Sequence, residues 1–140
     1  MLKKILIIED NSNDIKYYQP LFSPEREIYF LFFSKDKNYT KGKLTDLLDI
    51  SYEEIASKIE NCFVLTEDKI VDFLEKNPFD FYIADSLGGI ADLFIDKAKL
   101  PKDKVAFLSS TTSFRESVWD KGYRAYKKED IDELMRDCID

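Results

Sequence analysis

The sequence predicts an α/β protein built on a doubly wound parallel sheet. Short apolar segments rich in β-branched and aromatic residues alternate along the chain with segments of helical periodicity. Strands that alternate with helices form right-handed βαβ units, whose parallel sheet is covered by helices on both faces. The 140 residues are enough for one domain with a hydrophobic core, so we expect a single domain over residues 1–140.

The predicted strands are short, apolar and bounded by polar or turn residues. They are Lys3–Ile8, Glu27–Phe33, Asn61–Leu65, Phe81–Ala84, Val105–Leu108 and Tyr123–Lys127. The second and third segments compete for the place of strand two beside the first strand, and one of them would be an added strand.

The predicted helices are identified by their capping residues and stop signals. Asn11 and Asn13 can cap a first helix that runs toward Tyr18, and Pro20 limits its length. A capping box at Ser51 opens a helix to Ile59. The later helices are expected after Thr66, over Ile90–Ala98, over Phe114–Asp120 and over Glu129–Cys138.

Composition excludes several classes of function. The chain has no His, which excludes a Ser-His-Asp triad, and its two cysteines have no CxxC spacing, which argues against a Cys or His metal site. A net charge of −7 argues against direct nucleic-acid binding. No apolar run is long enough to span a membrane, and we expect a protein of the reducing cytoplasm.

Polar side chains follow several predicted strands at the point where each strand ends. Glu9 and Asp10 follow the first strand, and Asp85 follows the strand Phe81–Ala84. If these two strands are neighbours, three carboxylates converge at the edge of a parallel sheet where ligands bind. Such crowded anions require a proton or a cation, and Mg²⁺ is the divalent ion that best fits a few carboxylates and water.

The order of these motifs resembles the receiver domain of two-component response regulators. The residues that carry the resemblance are Lys3–Asn11, Glu75–Asp85, Val105–Ser110 and Gly122–Lys128. The resemblance implies a flavodoxin-like (CheY-like) fold with five parallel strands in the order 2-1-3-4-5. It covers the chain except for about residues 35–61, which we expect to form an insertion near strand two that adds a helix or a strand. No output domain is expected.

The resemblance also implies the roles of individual residues. Asp85 would accept a phosphoryl group from a histidine kinase or a His phosphotransfer protein, with Mg²⁺ held by Glu9, Asp10, Asp85 and the backbone carbonyl of Leu87. Ser109 would bond a phosphoryl oxygen. The result would be a phosphorelay signalling domain, not an enzyme, that passes its signal to a downstream output protein.

Three further roles depend on where this sequence departs from the family pattern. The family's Lys-Pro pair is replaced by Lys127-Lys128, and alignment of the last helix favours Lys127, with Lys128 as its rival. Tyr126 would be the switch aromatic that turns inward after phosphorylation. Leu87, an apolar residue two positions past the acceptor, would shield the acyl phosphate from water.

Two alternative functions stay open. A degenerate receiver would have the same fold and bind partners without phosphorylation, which the shortened loop Ser86–Gly89 favours. A hydrolase of the haloacid dehalogenase type also uses a nucleophilic Asp after a strand, but it requires a second Asp where this chain has Leu87.

Overall fold

The computed structural model describes residues 2–10, 12–34 and 61–140 of the chain. These residues form an α/β fold around one parallel sheet, and the sheet runs in the order β3-β2-β1-β4-β5-β6. Its strands are Lys3–Glu9 (β1), Arg26–Ser34 (β2), Asn61–Thr66 (β3), Phe81–Ala84 (β4), Val105–Leu108 (β5) and Arg124–Tyr126 (β6).

The expected five-stranded sheet is corrected to six strands within the described residues. Both candidates for strand two are strands. Arg26–Phe32 pairs with β1, and Asn61–Thr66 pairs with Tyr29–Ser34 on the other side of β2. The predicted insertion at 35–61, including the helix expected from Ser51, lies outside the described residues except for Asn61, the first residue of β3.

The described helices follow the predicted positions closely. The longer ones are a 3₁₀ helix Ser12–Leu21, then Glu67–Lys76 (α1), Ala91–Ala98 (α2), Thr112–Asp120 (α3) and Ile131–Leu134 (α4), which continues as a π-helical segment Met135–Ile139; short 3₁₀ turns cover Leu87–Gly89, Lys102–Lys104 and Lys128–Asp130. The first of these extends past Tyr18 to include Pro20, which has no N–H to donate. Gly122 follows α3 with a φ of 92°, as expected of a glycine that terminates a helix.

The helices cover both faces of the sheet. Leu6 and Ile8 of β1 belong to a core cluster with residues of α1, α2 and α3. Ile5 and Ile7 belong to the opposite cluster, with residues of the 3₁₀ helix and α4. Because β1 alternates between two buried faces, its apolar run is continuous until Glu9. The carboxyl ends of β1 and β4 therefore meet between two helical layers, at the edge where the polar residues follow.

No helix among the described residues is long and apolar enough to cross a bilayer.

Candidate functional site

Glu9, Asp10 and Asp85 lie together at the carboxyl ends of β1 and β4, and we call them the carboxylate cluster. The two strands are parallel neighbours, and the backbone N–H of Asp85 donates to the carbonyl of Ile8 at 2.9 Å. One carboxylate oxygen from each of the three acids lies within 4.8 Å of the others. The predicted convergence of these acids is therefore present in the structure.

The three acids differ strongly in exposure. Glu9 is 0% exposed and Asp85 is 8% exposed, whereas Asp10 is exposed. Burial raises the pKa of Glu9 to about 8, and the nearby charge of Asp85 adds to this effect. Burial and the charge of Asp85 also raise the pKa of Asp10. The carboxylate cluster thus has a buried end at Glu9 and an accessible end at Asp10.

Lys128 supplies the positive charge of the site. Its Nζ lies 2.7 Å from Glu9 Oε2, 2.8 Å from Asp85 Oδ1 and 3.3 Å from Asp14 Oδ2. The side chain is only 5% exposed. Burial alone would lower the pKa of Lys128, but the charges of Glu9 and Asp85 raise it above its usual value. Lys128 is therefore a charged lysine shared between the buried carboxylates.

The preference for Lys127 as the lysine that faces Asp85 is wrong. Lys127 is exposed, and Lys128 begins the short 3₁₀ turn Lys128–Asp130 that leads into α4. This turn directs the second lysine, and not the first, to the carboxyl ends of β1 and β4, where it contacts Glu9 and Asp85.

Tyr18 is a site residue that the sequence reasoning missed. Its hydroxyl donates to Glu9 Oε2 at 2.6 Å and lies 3.4 Å from Lys128 Nζ. A 3₁₀ helix repeats every three residues, so Ile15, Tyr18 and Leu21 share one face, and all three are fully buried. This spacing of three was the available signal, but a phenol next to an acidic pair is not part of the family pattern.

Asp85 is held by the loop that follows it. Its Oδ2 accepts a hydrogen bond from the backbone N–H of Leu87 at 3.0 Å. Leu87, Gly88 and Gly89 all have positive φ, and the carbonyl of Ser86 accepts N–H groups of the next turn. The two glycines adopt this conformation without a steric cost, whereas Leu87, at a φ of 51°, does not.

The placement of the Leu87 side chain does not support the expectation that it shields the acyl phosphate from water. The side chain is 2% exposed and packs in the core cluster beside α2. The left-handed conformation of Leu87 turns its side chain into the protein and its N–H toward Asp85. The proposed role of its carbonyl as a metal ligand stays a prediction.

Ser109 follows β5, one strand beyond Asp85 in the sheet, and is 1% exposed. Its Oγ accepts the backbone N–H of Thr111 at 3.1 Å. The buried Arg115 of α3 donates to the Ser109 carbonyl at 2.8 Å and to Thr112 Oγ1 at 3.2 Å. Arg115, which the sequence reasoning did not select, therefore fixes the backbone at Ser109 to α3.

Tyr126 does not lie at the carboxylate cluster. It packs against the core cluster on the α4 face, and its hydroxyl donates to Asp137 Oδ2 at 3.1 Å. Its neighbour Ala125 belongs to the opposite cluster, where α3 packs. Tyr126 is held on the α4 face by Asp137 and Cys138, and its inward turn after phosphorylation stays a prediction.

An open pocket adjoins the site on the side of the loop after Asp85. Its volume is about 520 Å³, and it is lined by Ser86, Gly88, Gly89, Thr111, Ser113, Phe114 and Ser117. The lining side chains include four hydroxyls and no charged group. A small polar molecule could therefore approach the sheet edge here without displacing a salt bridge.

The donor set of the carboxylate cluster fits a hard divalent cation. Its oxygens are carboxylates within a span compatible with one ion, and Asp10 gives access to solvent. Neither protein-family models nor curated proteins match this chain.

Proposed function

We propose that this chain is a receiver domain of a two-component phosphorelay, in which Asp85 accepts a phosphoryl group. The observation that carries the proposal is the joint placement of the carboxylate cluster and the Lys128 ammonium at the ends of β1 and β4. Without the edge strand β3, the remaining strands run β2-β1-β4-β5-β6, which is the order that a receiver domain requires. This support comes from the site and from strand order, and not from a matched family.

The donor is a phosphohistidine on a histidine kinase or a His phosphotransfer protein. An Asp85 oxygen attacks phosphorus, the P–N bond to the donor imidazole breaks, and its electron pair stays on the imidazole nitrogen. The product is an acyl phosphate on Asp85. A downstream output protein then reads the phosphorylated surface in the cytoplasm.

Each polar residue has a separate part in this transfer. Lys128 already contacts Asp85 Oδ1, so its ammonium can follow the negative charge onto the phosphoryl oxygens. The N–H of Leu87 orients the other carboxylate oxygen. The Ser109 hydroxyl would donate a hydrogen bond to a phosphoryl oxygen. Mg²⁺, held by Asp10 and Asp85 with Glu9 behind them, would supply charge neutralisation.

Phosphorylation of Asp85 is tested with a small phosphodonor in the presence and absence of Mg²⁺. Mass spectrometry should find one adduct that requires Mg²⁺ and is released by hydroxylamine. The matched control is Asp85→Asn, which keeps the shape of the side chain but removes the nucleophile. An adduct that persists in this variant contradicts the assignment of Asp85.

A degenerate receiver is the second candidate, and one observation favours it. Asp85 is 8% exposed, and both of its oxygens already accept protein donors, from Lys128 and from the N–H of Leu87. In this case the wild-type protein takes up no phosphate, and Asp85→Asn binds the same partner with unchanged affinity. If Asp85→Asn no longer binds the partner, the phospho-accepting receiver is favoured over the degenerate one.

A further inference from the structure

Tyr18 contacts the carboxylate cluster from a position fixed by packing. Its ring is fully buried and meets Phe30 edge-to-face at 5.9 Å between centroids. Lys128 Nζ lies 5.5 Å from the centre of the Tyr18 ring. The phenol therefore has little freedom, and its hydroxyl can serve only the groups at this end of the site.

Glu9 has protein donors on both of its oxygens. Oε2 accepts from Tyr18 and from Lys128, and Oε1 accepts the backbone N–H of Asp10 at 3.2 Å. These hydrogen bonds favour the charged form of Glu9 and offset part of the cost of burying it, although burial still raises its pKa. Tyr18 and Lys128 compete for Oε2, because the hydrogen bond from Tyr18 weakens the attraction between Glu9 and Lys128.

We propose that Tyr18 is a positioning residue that holds Glu9 Oε2 and thereby leaves Lys128 available to Asp85. The expected effect of Tyr18 on phosphorylation rests on the proposed function. The expected effect on cation binding does not depend on it. When the Tyr18 hydroxyl is absent, Glu9 draws Lys128 toward itself and away from Asp85. The same shift leaves the Asp85 carboxylate without the ammonium that now lies 2.8 Å from it, so Asp85 and Asp10 should attract a cation more strongly.

The test compares Tyr18→Phe with Tyr123→Phe in the full chain. Tyr123 is a suitable control because it is also a buried tyrosine whose hydroxyl donates a hydrogen bond to a carboxylate. That carboxylate belongs to Asp96, which is not part of the carboxylate cluster. Two quantities are measured for folded protein. They are the dissociation constant of Mn²⁺ by electron paramagnetic resonance, and the rate constant of Asp85 phosphorylation by acetyl phosphate at saturating Mg²⁺.

Tyr18→Phe should bind Mn²⁺ more tightly than wild type and yet be phosphorylated roughly tenfold more slowly, the size of one hydrogen bond to a charged group. Tyr123→Phe should change neither quantity. A merely structural role for Tyr18 would weaken Mn²⁺ binding and phosphorylation together, and that result overturns the inference, as does an unchanged Mn²⁺ dissociation constant or an unchanged rate. If wild type takes up no phosphoryl group, the proposed function fails, and the Mn²⁺ measurement still decides the role of Tyr18.

Discussion

Two groups of side chains in this protein have the same ingredients and different surroundings. The carboxylate cluster combines acids with Lys128 and the Tyr18 hydroxyl. A second group, which we call the surface cluster, joins Asp92 and Asp96 of α2 to Lys121, which follows α3, and to Tyr123. In both, a lysine and a tyrosine hydroxyl contact the same carboxylate.

The two groups perturb their acids in opposite directions. Burial alone would raise the pKa of Asp96, but hydrogen bonds from Lys121 and Tyr123 lower it below its usual value. Burial raises the pKa of Glu9 to about 8 despite its bonds to Lys128 and Tyr18. The lysine side chains differ accordingly, with 33% exposure for Lys121 and 5% for Lys128.

The difference lies in how far water reaches the charged groups. Surface ion pairs contribute little to stability and are screened by water and salt. When buried acids outnumber their cation, their charged forms are disfavoured and their pKa values are perturbed. Perturbed pKa values of this kind are common at functional sites. The surface cluster joins α2 to the residue that follows α3, whereas the carboxylate cluster places three acids beside one buried lysine.

Removing each lysine should give the largest contrast. Lys128→Met leaves buried carboxylates without their ammonium and should cost about 3–5 kcal/mol of the free energy of unfolding. Lys121→Met should cost less, because Lys121 and Asp96 are partly exposed and water can solvate Asp96, although Asp92, at 7% exposure, also loses its partner. Urea denaturation at neutral pH measures both. Equal losses would show that Lys128 is not shared between buried charges.

Removing one acid from each cluster should have opposite effects on the metal-free protein. Asp10→Asn relieves repulsion and should raise the free energy of unfolding, whereas Asp92→Asn loses an ion pair to Lys121 and should lower it. Mg²⁺ at a hundredfold excess over its dissociation constant should stabilise wild type by about 2.7 kcal/mol, and Asp10→Asn should lose most of this gain. Thermal unfolding with and without Mg²⁺ measures these changes. Destabilisation of metal-free protein by Asp10→Asn would contradict the crowding of the three acids.

The pH dependence of stability should separate the two clusters. Glu9 has a folded-state pKa of about 8, above its ordinary value of 4.5, so the folded protein binds the Glu9 proton more tightly than the unfolded chain does. Stability should therefore fall as pH rises from about 4.5 to about 8, with a slope of at most about 1.4 kcal/mol per pH unit from this group. Glu9→Gln should flatten this region.

Asp96 gives the opposite sign in a different pH range. Its folded-state pKa is lowered, so its contribution is present above the unfolded value of 3.8 and is lost as pH falls through the folded value. Asp96→Asn should therefore change the stability curve in acid and leave the region from pH 5 to 8 as it is in wild type. If Glu9→Gln changes the stability curve only at acid pH, burial does not raise the pKa of Glu9 as stated above.

The sequence predicted the parts of this arrangement that depend on strand ends. Glu9, Asp10 and Asp85 follow strands, and parallel pairing alone brings them together. The choice between Lys127 and Lys128 depended on the geometry of one turn, which alignment with a Lys-Pro pair did not describe. Periodicity could not assign β3 either, because an added edge strand and an inner strand have the same apolar pattern.

Roles that depend on which face a side chain occupies were the least predictable. Leu87 was expected at the site, but a left-handed backbone conformation that the sequence did not indicate turns its side chain into the core. Tyr18 was overlooked because the segment was expected to be an ordinary helix. The period of three that buries Tyr18 with Ile15 and Leu21 belongs to a 3₁₀ helix.

The smallest effect is expected from Tyr126, whose hydroxyl bonds an exposed carboxylate outside both clusters. Tyr126→Phe removes the bond to Asp137 and should lower the free energy of unfolding by about 1 kcal/mol or less. Because Tyr126 faces α4 and not α3, the rate of Asp85 phosphorylation should match that of wild type, and so should the surface changes that follow it. Amide hydrogen exchange of α3 and β6, measured with and without beryllofluoride and Mg²⁺, checks the second point. A loss of the beryllofluoride-dependent change in Tyr126→Phe would restore Tyr126 as the switch, and would require Tyr126 to leave the face on which the structure places it.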